Sequence, residues 1–146
     1  MSYQNMSPLN KRLRKSIELL KPPPKQTVSE WAVANRILSS ESSSEPGKYN
    51  LARAPFQKGW QDAISDPRIH TIVGMTSAQV GKTETFLNNP VGYFIAQDPA
   101  PILVIQPTLE MAQTWSKVRF APMLRDSKAL KDLVKDPRAR SSNNTI

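Results

Sequence analysis

The sequence of 146 residues has no cysteine and only one histidine, His70. These absences exclude a disulfide framework, a cysteine metal cluster and a zinc site made of histidines. No apolar run approaches the ~20 residues that span a bilayer, so we expect no membrane partner. Hydrophobic residues make up only 38% of the chain, whereas prolines number 13. This composition predicts that part of the chain is extended or loosely packed.

Positive charge is in excess and lies mainly at the two ends. The net charge is +8, with +5 in residues 1–25, −2 in residues 26–116 and +5 in residues 117–146. Basic segments around a near-neutral centre indicate a polyanionic partner such as nucleic acid. A solubilising surface would have the same charge balance, so both interpretations stay open.

The first half of the chain predicts three helices. Residues 8–21 have an amphipathic pattern, and the KPPPK sequence then ends the helix. The apolar face of this helix consists of Leu9, Leu13, Ile17 and Leu20. Residues 27–38 begin with a capping box formed by Thr27 and Glu30. Residues 54–65 predict the third helix, which follows a serine-rich loop over residues 39–50.

The second half of the chain predicts a βαβ unit. Residues 68–75 (RIHTIVGM) are rich in β-branched side chains and predict a strand. Residues 82–97 predict a helix that is weakened or kinked at Asn89-Pro90. Residues 102–106 (ILVIQ) are typical of a strand buried on both faces, and residues 108–124 predict a further helix. This order predicts a parallel pair of strands with a right-handed crossover.

The sequence TSAQVGKT, residues 76–83, joins the first predicted strand to its helix. Gly81-Lys82-Thr83 matches the end of a phosphate-binding loop, in which backbone N–H groups surround a phosphate at a helix N-terminus. Lys82 would neutralise phosphate oxygens, and the Thr83 hydroxyl would bind Mg²⁺. Thr76 replaces the first glycine of the motif, so a chance GKT is the alternative. We predict an ATP site.

The sequence PFQ, residues 55–57, lies about twenty residues before the loop. In several ATP-driven nucleic-acid motors, a glutamine at such a position contacts the adenine edge, and the Gln57 amide can both donate and accept there. Phe56 would lie beside the base. The alternative is a helix N-terminus at which Phe56 packs and Gln57 is solvated.

The longest match to a known family runs from about Thr27 to beyond Asp126. The segments TVSEWAVANRIL, PFQKGWQDAI, IVGMTSAQVGKTETFLNNPVGYFI and DPAPILVIQPTLEMAQTWSKVRFAPMLRD resemble the N-terminal ATPase region of the GpA-type, lambda-like terminase large subunit of tailed phages. The resemblance covers roughly two thirds of the chain, and SAQVGKT is characteristic of the family.

The resemblance implies an α/β fold of the P-loop NTPase class (RecA/ASCE-like). Its parallel sheet is expected to be incomplete here, and an N-terminal helical segment precedes it. Residues 1–26 would form a basic docking arm, and residues 27–146 the Walker A part of the ATPase domain. Walker B and the nuclease domain are expected to lie beyond this stretch. The family uses ATP with Mg²⁺ to drive double-stranded DNA into a procapsid through its portal, and it cuts concatemers.

Residue by residue, the resemblance implies an ATP site with Lys82 and Thr83 as catalytic residues and Thr83 as the Mg²⁺ ligand. The complete set of expected ATP contacts is Thr76, Ser77, Ala78, Gln79, Val80, Gly81, Lys82, Thr83, Phe56 and Gln57. By position rather than by resemblance, Gln106 and Thr108 are expected DNA contacts, because the QPT sequence follows the second predicted strand at its C-terminal end, where parallel sheets bind ligands. Residues 8–21 would bind the terminase small subunit. A homo-oligomer in the cytoplasm of the bacterial host is expected for the complete protein.

Two departures from the family pattern stand out. Some terminases carry an arginine inside the loop, where this sequence has Ala78 and Gln79, so an arginine finger would come from elsewhere. The sequence also has no adjacent Asp-Glu pair after an apolar run, and we expect little ATP hydrolysis by this chain alone. The alternatives are therefore a fragment of a phage or prophage packaging motor, or a non-catalytic module that binds DNA or a partner. A small P-loop kinase is a weaker third reading.

Overall fold

The computed structural model describes residues 8–20, 25–131 and 133. Its α-helices are α1 (Pro8–Leu20), α2 (Val28–Asn35), α3 (Gln57–Ile64), α4 (Asn89–Ala96), α5 (Leu109–Thr114), α6 (Ala121–Asp126) and α7 (Lys128–Lys131). Two short strands are β1 (Ile37–Leu38) and β2 (Gly47–Lys48), and a 3₁₀ turn covers Leu51–Arg53. π-helical segments span Glu84–Asn88 and Trp115–Phe120.

The predicted helices of the first half are confirmed, with shorter bounds. Helix α2 begins at the capping box, where the Thr27 hydroxyl accepts from the Glu30 amide and the Glu30 carboxylate accepts from the Thr27 amide. Both otherwise unpaired donors are thereby satisfied. In helix α1 the side chains of Leu9, Leu13, Ile17 and Leu20 are exposed. Residues 1–7 and 21–24 of the predicted arm, and most of the polar tail after residue 131, lie outside the described residues.

The predicted parallel strands are not formed among the described residues. The only ladder there is antiparallel, between β1 and β2, with Ile37 opposite Lys48. Residues 69–77 and 101–106 have no regular secondary structure. Most of their apolar side chains are exposed, as Met75 at 98% and Leu103 at 82% illustrate, whereas Val104 is half-buried against the core. A helix bonds within itself, whereas a strand requires a neighbour, and the described residues supply none to either segment. The mixed-helix architecture does not itself establish the P-loop fold.

The helix predicted over residues 82–97 is present and carries its irregularity where the proline predicts one. Asn89 N–H bonds to the Glu84 carbonyl, five residues back, and Pro90 follows directly. The helix predicted over residues 108–124 has the same arrangement. Ala121 N–H bonds to the Ser116 carbonyl, and Pro122 follows. Proline lacks the N–H that an α-helix requires and crowds the carbonyl four residues back. A wider turn therefore precedes each proline.

The hydrophobic core lies between the helices rather than on a sheet. Helix α2 packs against α3 and α4, and α4 packs against α7. The buried core residues are Trp31, Ala32, Tyr49, Val91, Met123 and Leu130. All three tryptophans pack against other side chains: Trp31 is fully buried, Trp60 stacks on Phe86 and Trp115 stacks on Phe120. This core fixes the start of the helical backbone at residue 82 relative to α3.

Candidate functional site

The loop before residue 82 has two residues in the left-handed region. Gln79 has φ 61° and Gly81 has φ 77°. This backbone suits glycine, and a Cβ on Gly81 would also lie 2.6 Å from Nε2 of Gln57. Alternating backbone conformations of this kind turn successive N–H groups toward one side, which favours an anion. The loop therefore has the backbone freedom that a phosphate site requires, although Thr76 replaces the first glycine of the motif.

Lys82 and Thr83 begin the helical backbone that continues into α4. Both side chains are exposed, and within the described residues Lys82 has no hydrogen bond or ion pair. A cavity of about 340 Å³ opens at this point. Its lining residues are Ser42, Ser43, Ser44, Gln79, Gly81, Lys82, Thr83, Glu84 and Arg119. We call it the loop cavity. A free ammonium at a helix start is suited to bind an anion.

Only part of the predicted ATP set lines the loop cavity. Gln79, Gly81, Lys82 and Thr83 do so. The remaining predicted contacts do not: Thr76, Ser77, Ala78, Val80, Phe56 and Gln57. Ser77 and Ala78 are exposed, while Thr76 and Val80 are half-buried. The loop cavity is thus formed by the second half of the motif, together with Ser42–Ser44 and Arg119, which sequence reasoning did not select.

Gln57 lies behind the loop, and its amide is occupied by protein groups. Its Nε2 donates to the Val80 carbonyl at 2.8 Å, and its Oε1 accepts from the Tyr49 hydroxyl at 2.9 Å. The side chain is only 6% exposed. Phe56 is half exposed and meets Trp60 edge to face, with the ring centroids 5.4 Å apart. Gln57 is therefore not solvated, and adenine contact by Gln57 and Phe56 stays a prediction.

A chain of buried polar side chains continues from Gln57 into the core. Gln61 Nε2 donates to the Tyr49 hydroxyl at 2.8 Å, and Asn89 Nδ2 donates to Gln61 Oε1 at 3.3 Å. Arg36 then donates from Nε to Asn89 Oδ1 at 2.9 Å. Burial raises the pKa of the Tyr49 hydroxyl, so Tyr49 remains a neutral donor. These bonds connect the loop carbonyl to the end of α2.

The chain ends at a buried ion pair. Arg36 Nη2 contacts Glu84 Oε2 at 2.6 Å, and the Arg36 side chain is 2% exposed. Glu84 Oε1 also accepts from Asn88, whose Oδ1 accepts from the Trp115 indole at 2.8 Å. Sequence reasoning missed these residues. The i, i+4 spacing of Gln57 and Gln61 in α3 was the one signal in the sequence for this buried polar chain. Nothing in the sequence indicates that Arg36 is buried.

A second cavity, of about 460 Å³, lies beside the first. We call it the helix cavity, and it is lined by Thr83, Leu87, Gln106, Glu110, Met111, Thr114, Trp115 and Arg119. Gln106 is therefore close to the loop. Thr108 instead caps α5, since its hydroxyl accepts from the Met111 amide at 3.2 Å. DNA contact by Gln106 and Thr108 stays a prediction.

The residues around Thr83 fit a magnesium–nucleotide complex better than a metal cage. Among the described residues no group of three acidic or histidine side chains could hold a metal ion. Mg²⁺ often takes only one or two protein ligands and uses substrate phosphates and water for the rest. The exposed Thr83 hydroxyl would be one such ligand, and the exposed Glu110 carboxylate lines the helix cavity beside it. Bound Mg²⁺ would neutralise phosphate charge there.

Comparison with known proteins identifies the family that the loop motif suggests. Residues 43–146 match the model of the phage terminase large subunit gpA, ATPase domain. The chain belongs to this family. The match includes the whole loop, the helices that line both cavities, and Ser43 and Ser44.

Two curated relatives agree with the family match. The chain is 33% identical over 117 residues to the terminase large subunit of Enterobacteria phage P21, covering 80% of this chain and 18% of the relative. It is 29% identical over 130 residues to the terminase large subunit of Escherichia phage lambda, covering 89% of this chain and 20% of the relative. The chain thus spans about a fifth of the length of these relatives. No solved structure gave a significant match.

No helix within residues 8–20, 25–131 and 133 has both the length and the apolar character that crossing a bilayer requires.

Proposed function

We propose that this chain is the N-terminal part of the ATPase of a phage or prophage DNA-packaging motor, and that it binds ATP with Mg²⁺ at the loop cavity. The carrying observation is that Lys82, which has no partner among the described residues, lies in a cavity formed by a left-handed loop and a helix start. The loop motif, the family match and the fold class expected for that family support the same conclusion.

The proposed role of each residue follows from the chemistry of its side chain. Lys82 neutralises phosphate oxygens, and Gly81 lets the backbone approach them. Thr83 binds the Mg²⁺ that accompanies the phosphates. Gln57 and Phe56 remain proposed adenine-side residues, which would require the Gln57 amide to release one protein partner. DNA translocation and cutting of concatemers are proposed for the full-length large subunit.

The proposed partners follow from charge and exposed apolar surface. Double-stranded DNA suits the basic ends of the chain, and Gln106 lies on the rim of the helix cavity where DNA could couple to the nucleotide. The exposed apolar stripe of α1 suits a protein partner, for which we propose the terminase small subunit. A homo-oligomer acting with the portal and procapsid in the host cytoplasm completes this proposal.

The direct test of the proposal is nucleotide binding by isothermal titration calorimetry. We expect ATP with Mg²⁺ to bind the wild-type chain and Lys82→Ala to abolish binding, because the variant loses the free ammonium in the loop cavity. Lys117→Ala is the matched control, since Lys117 is exposed and lines neither cavity. Equal binding by the Lys82→Ala variant would contradict the assignment.

A second function, a non-catalytic module for DNA or a partner, is favoured by the exposed stripe of α1. Leu13→Asp with Ile17→Asp would remove binding to the small subunit while leaving ATP binding unchanged. Analytical ultracentrifugation of mixtures measures the first, and calorimetry the second. Partner or DNA binding without any nucleotide binding would favour the module over the motor fragment.

A further inference from the structure

Arg119 differs from the other arginines of residues 25–131 in its partners. Arg36, Arg53, Arg68 and Arg125 each form an ion pair with a carboxylate. Arg119 instead donates from Nη1 to the backbone carbonyl of Ser42 and has no carboxylate partner in that part of the chain. A carbonyl is neutral and occupies only one of the five guanidinium donors. Arg119 therefore retains its charge and most of its hydrogen-bonding capacity.

The position of Arg119 relative to the loop is equally specific. Arg119 and Thr83 are the two residues that line both the loop cavity and the helix cavity. Lys82 lines the first of these as well. The one acidic residue of the loop cavity, Glu84, is held by Arg36 at 2.6 Å. Within the part of the chain that the structure describes, two cations without carboxylate partners thus border one cavity, and the acid that lines it is already neutralised.

We propose that Arg119 is the second cation of the nucleotide site and that it contacts the terminal phosphate of bound ATP. This inference rests on the proposed ATP binding at the loop. Arg119 lies on the Thr83 side of the site, where Thr83 would hold Mg²⁺ and the ion would neutralise phosphate charge. Gln57, the proposed adenine-side residue, lines neither cavity. A guanidinium can bind a phosphate with two parallel hydrogen bonds, which gives it the geometry for this role.

This assignment places an arginine of the same chain at the site. The loop itself has Ala78 and Gln79 at the positions where some terminases carry an arginine. Arg119 lies on the π-helical segment Trp115–Phe120. Its bond to Ser42 keeps the serine-rich segment against the opposite side of the loop cavity. A purely structural tie between these segments is the competing explanation. A tie would affect binding of all nucleotides alike, whereas a terminal-phosphate contact distinguishes ATP from ADP.

The test compares the affinity of a non-hydrolysable ATP analogue with that of ADP, both with Mg²⁺, by calorimetry. We expect Arg119→Gln to weaken analogue binding about tenfold or more, because a charge-assisted hydrogen bond is lost. ADP binding should change by less than about twofold. Arg119→Lys should have an intermediate effect, since it keeps the charge without the planar fork. Lys117→Gln, which removes a charge from the same segment, should change neither affinity.

The outcomes separate this inference from the proposed function. If the wild-type chain binds neither nucleotide, both are overturned. If the wild-type chain binds and Lys82→Ala does not, but Arg119→Gln alters the two affinities equally or not at all, the proposed function stands and the role of Arg119 is overturned. Thermal melting of each variant without nucleotide checks the fold. Arg119→Lys supplies the same test if Arg119→Gln does not fold.

Discussion

At the residue scale, two helical glycines differ in the space that surrounds them. A Cβ on Gly92 in α4 would lie 2.5 Å from the ring of the fully buried Trp31. A Cβ on Gly59 in α3 would meet nothing within 4 Å. Gly92 therefore permits the close approach of α2 and α4, whereas Gly59 has no packing role of this kind.

We expect Gly92→Ala to lower the free energy of unfolding by about 1–3 kcal/mol, because the added methyl group overpacks against Trp31. Gly59→Ala is the matched control and should raise it by about 0.5–1 kcal/mol, since alanine is the better helix former. Urea denaturation followed by tryptophan fluorescence measures both. Equal effects of the two variants would contradict the packing role of Gly92.

Residue-level prediction succeeded where a short motif determines local geometry. The capping box at Thr27 and the helix that starts at Lys82 follow from neighbouring residues alone. The Val80 partner of Gln57 and the Ser42 partner of Arg119 could not be predicted this way, because each lies more than twenty positions away. Lys82 keeps its predicted position in the motif, but sequence does not reveal that Arg119 borders the same cavity.

At the element scale, the Arg36–Glu84 pair connects the end of α2 to the π-helical segment that follows the loop. We expect Arg36→Met to lower the free energy of unfolding by about 3–5 kcal/mol, because Glu84 would keep a partly buried charge without its partner. Arg68→Met is the control. Its pair with Asp66 is exposed at the arginine, and its loss should lower the free energy of unfolding far less than the loss of Arg36.

Chemical denaturation of both variants measures this difference. A decrease of less than about 1 kcal/mol in the free energy of unfolding of Arg36→Met would mean that water or another group replaces the guanidinium at Glu84.

The loop should respond to the same substitution, since the Arg36 network reaches the Val80 carbonyl through Gln57. Hydrogen exchange of the residue 79–83 amides is expected to accelerate in Arg36→Met and not in Arg68→Met.

The elements best predicted from sequence are those whose hydrogen bonds join residues close together in the chain. The helices were identified, and Pro90 correctly indicated a weakened point in its helix, where a π-helical turn forms. The extended segments 68–75 and 102–106 have strand-like composition, but a ladder depends on neighbours that composition cannot identify. The short β1–β2 pair was missed for the same reason, since two residues per strand give no periodic pattern.

At the scale of the whole molecule, several carboxylates make stability depend on pH. Desolvation by burial opposes ionisation of Asp62, but hydrogen bonds from Lys58 and Ser29 outweigh it and lower its pKa. Arg68 lowers the pKa of Asp66 to about 2, and Arg125 lowers the pKa of Asp126. A carboxylate whose pKa is lower in the folded state stabilises the fold at pH values above its unfolded pKa of about 3.9. This contribution is lost as the pH falls through the folded-state pKa.

We therefore expect the melting temperature to fall as pH drops from about 5 towards 2, and scanning calorimetry across this range measures it. Asp62→Asn should flatten part of this dependence, because its carboxylate joins α3 to Ser29 of α2. At the alkaline end the sign reverses. The raised pKa of Tyr49 stabilises below about pH 10, and that contribution is lost as the pH rises through the folded value. A flat profile in the wild-type chain would contradict both statements.

The two wide turns before Pro90 and Pro122 have a consequence for how such sequences diverge. Each turn contains one residue more than a regular α-helical turn would, and each proline occupies the position where the missing N–H does least harm. Deleting one residue from either turn would rotate the following helix by about 100° and force the proline into a regular ladder. Replacing the proline alone would leave a surplus residue. The single-residue insertion and the proline should therefore be gained or lost together among related chains.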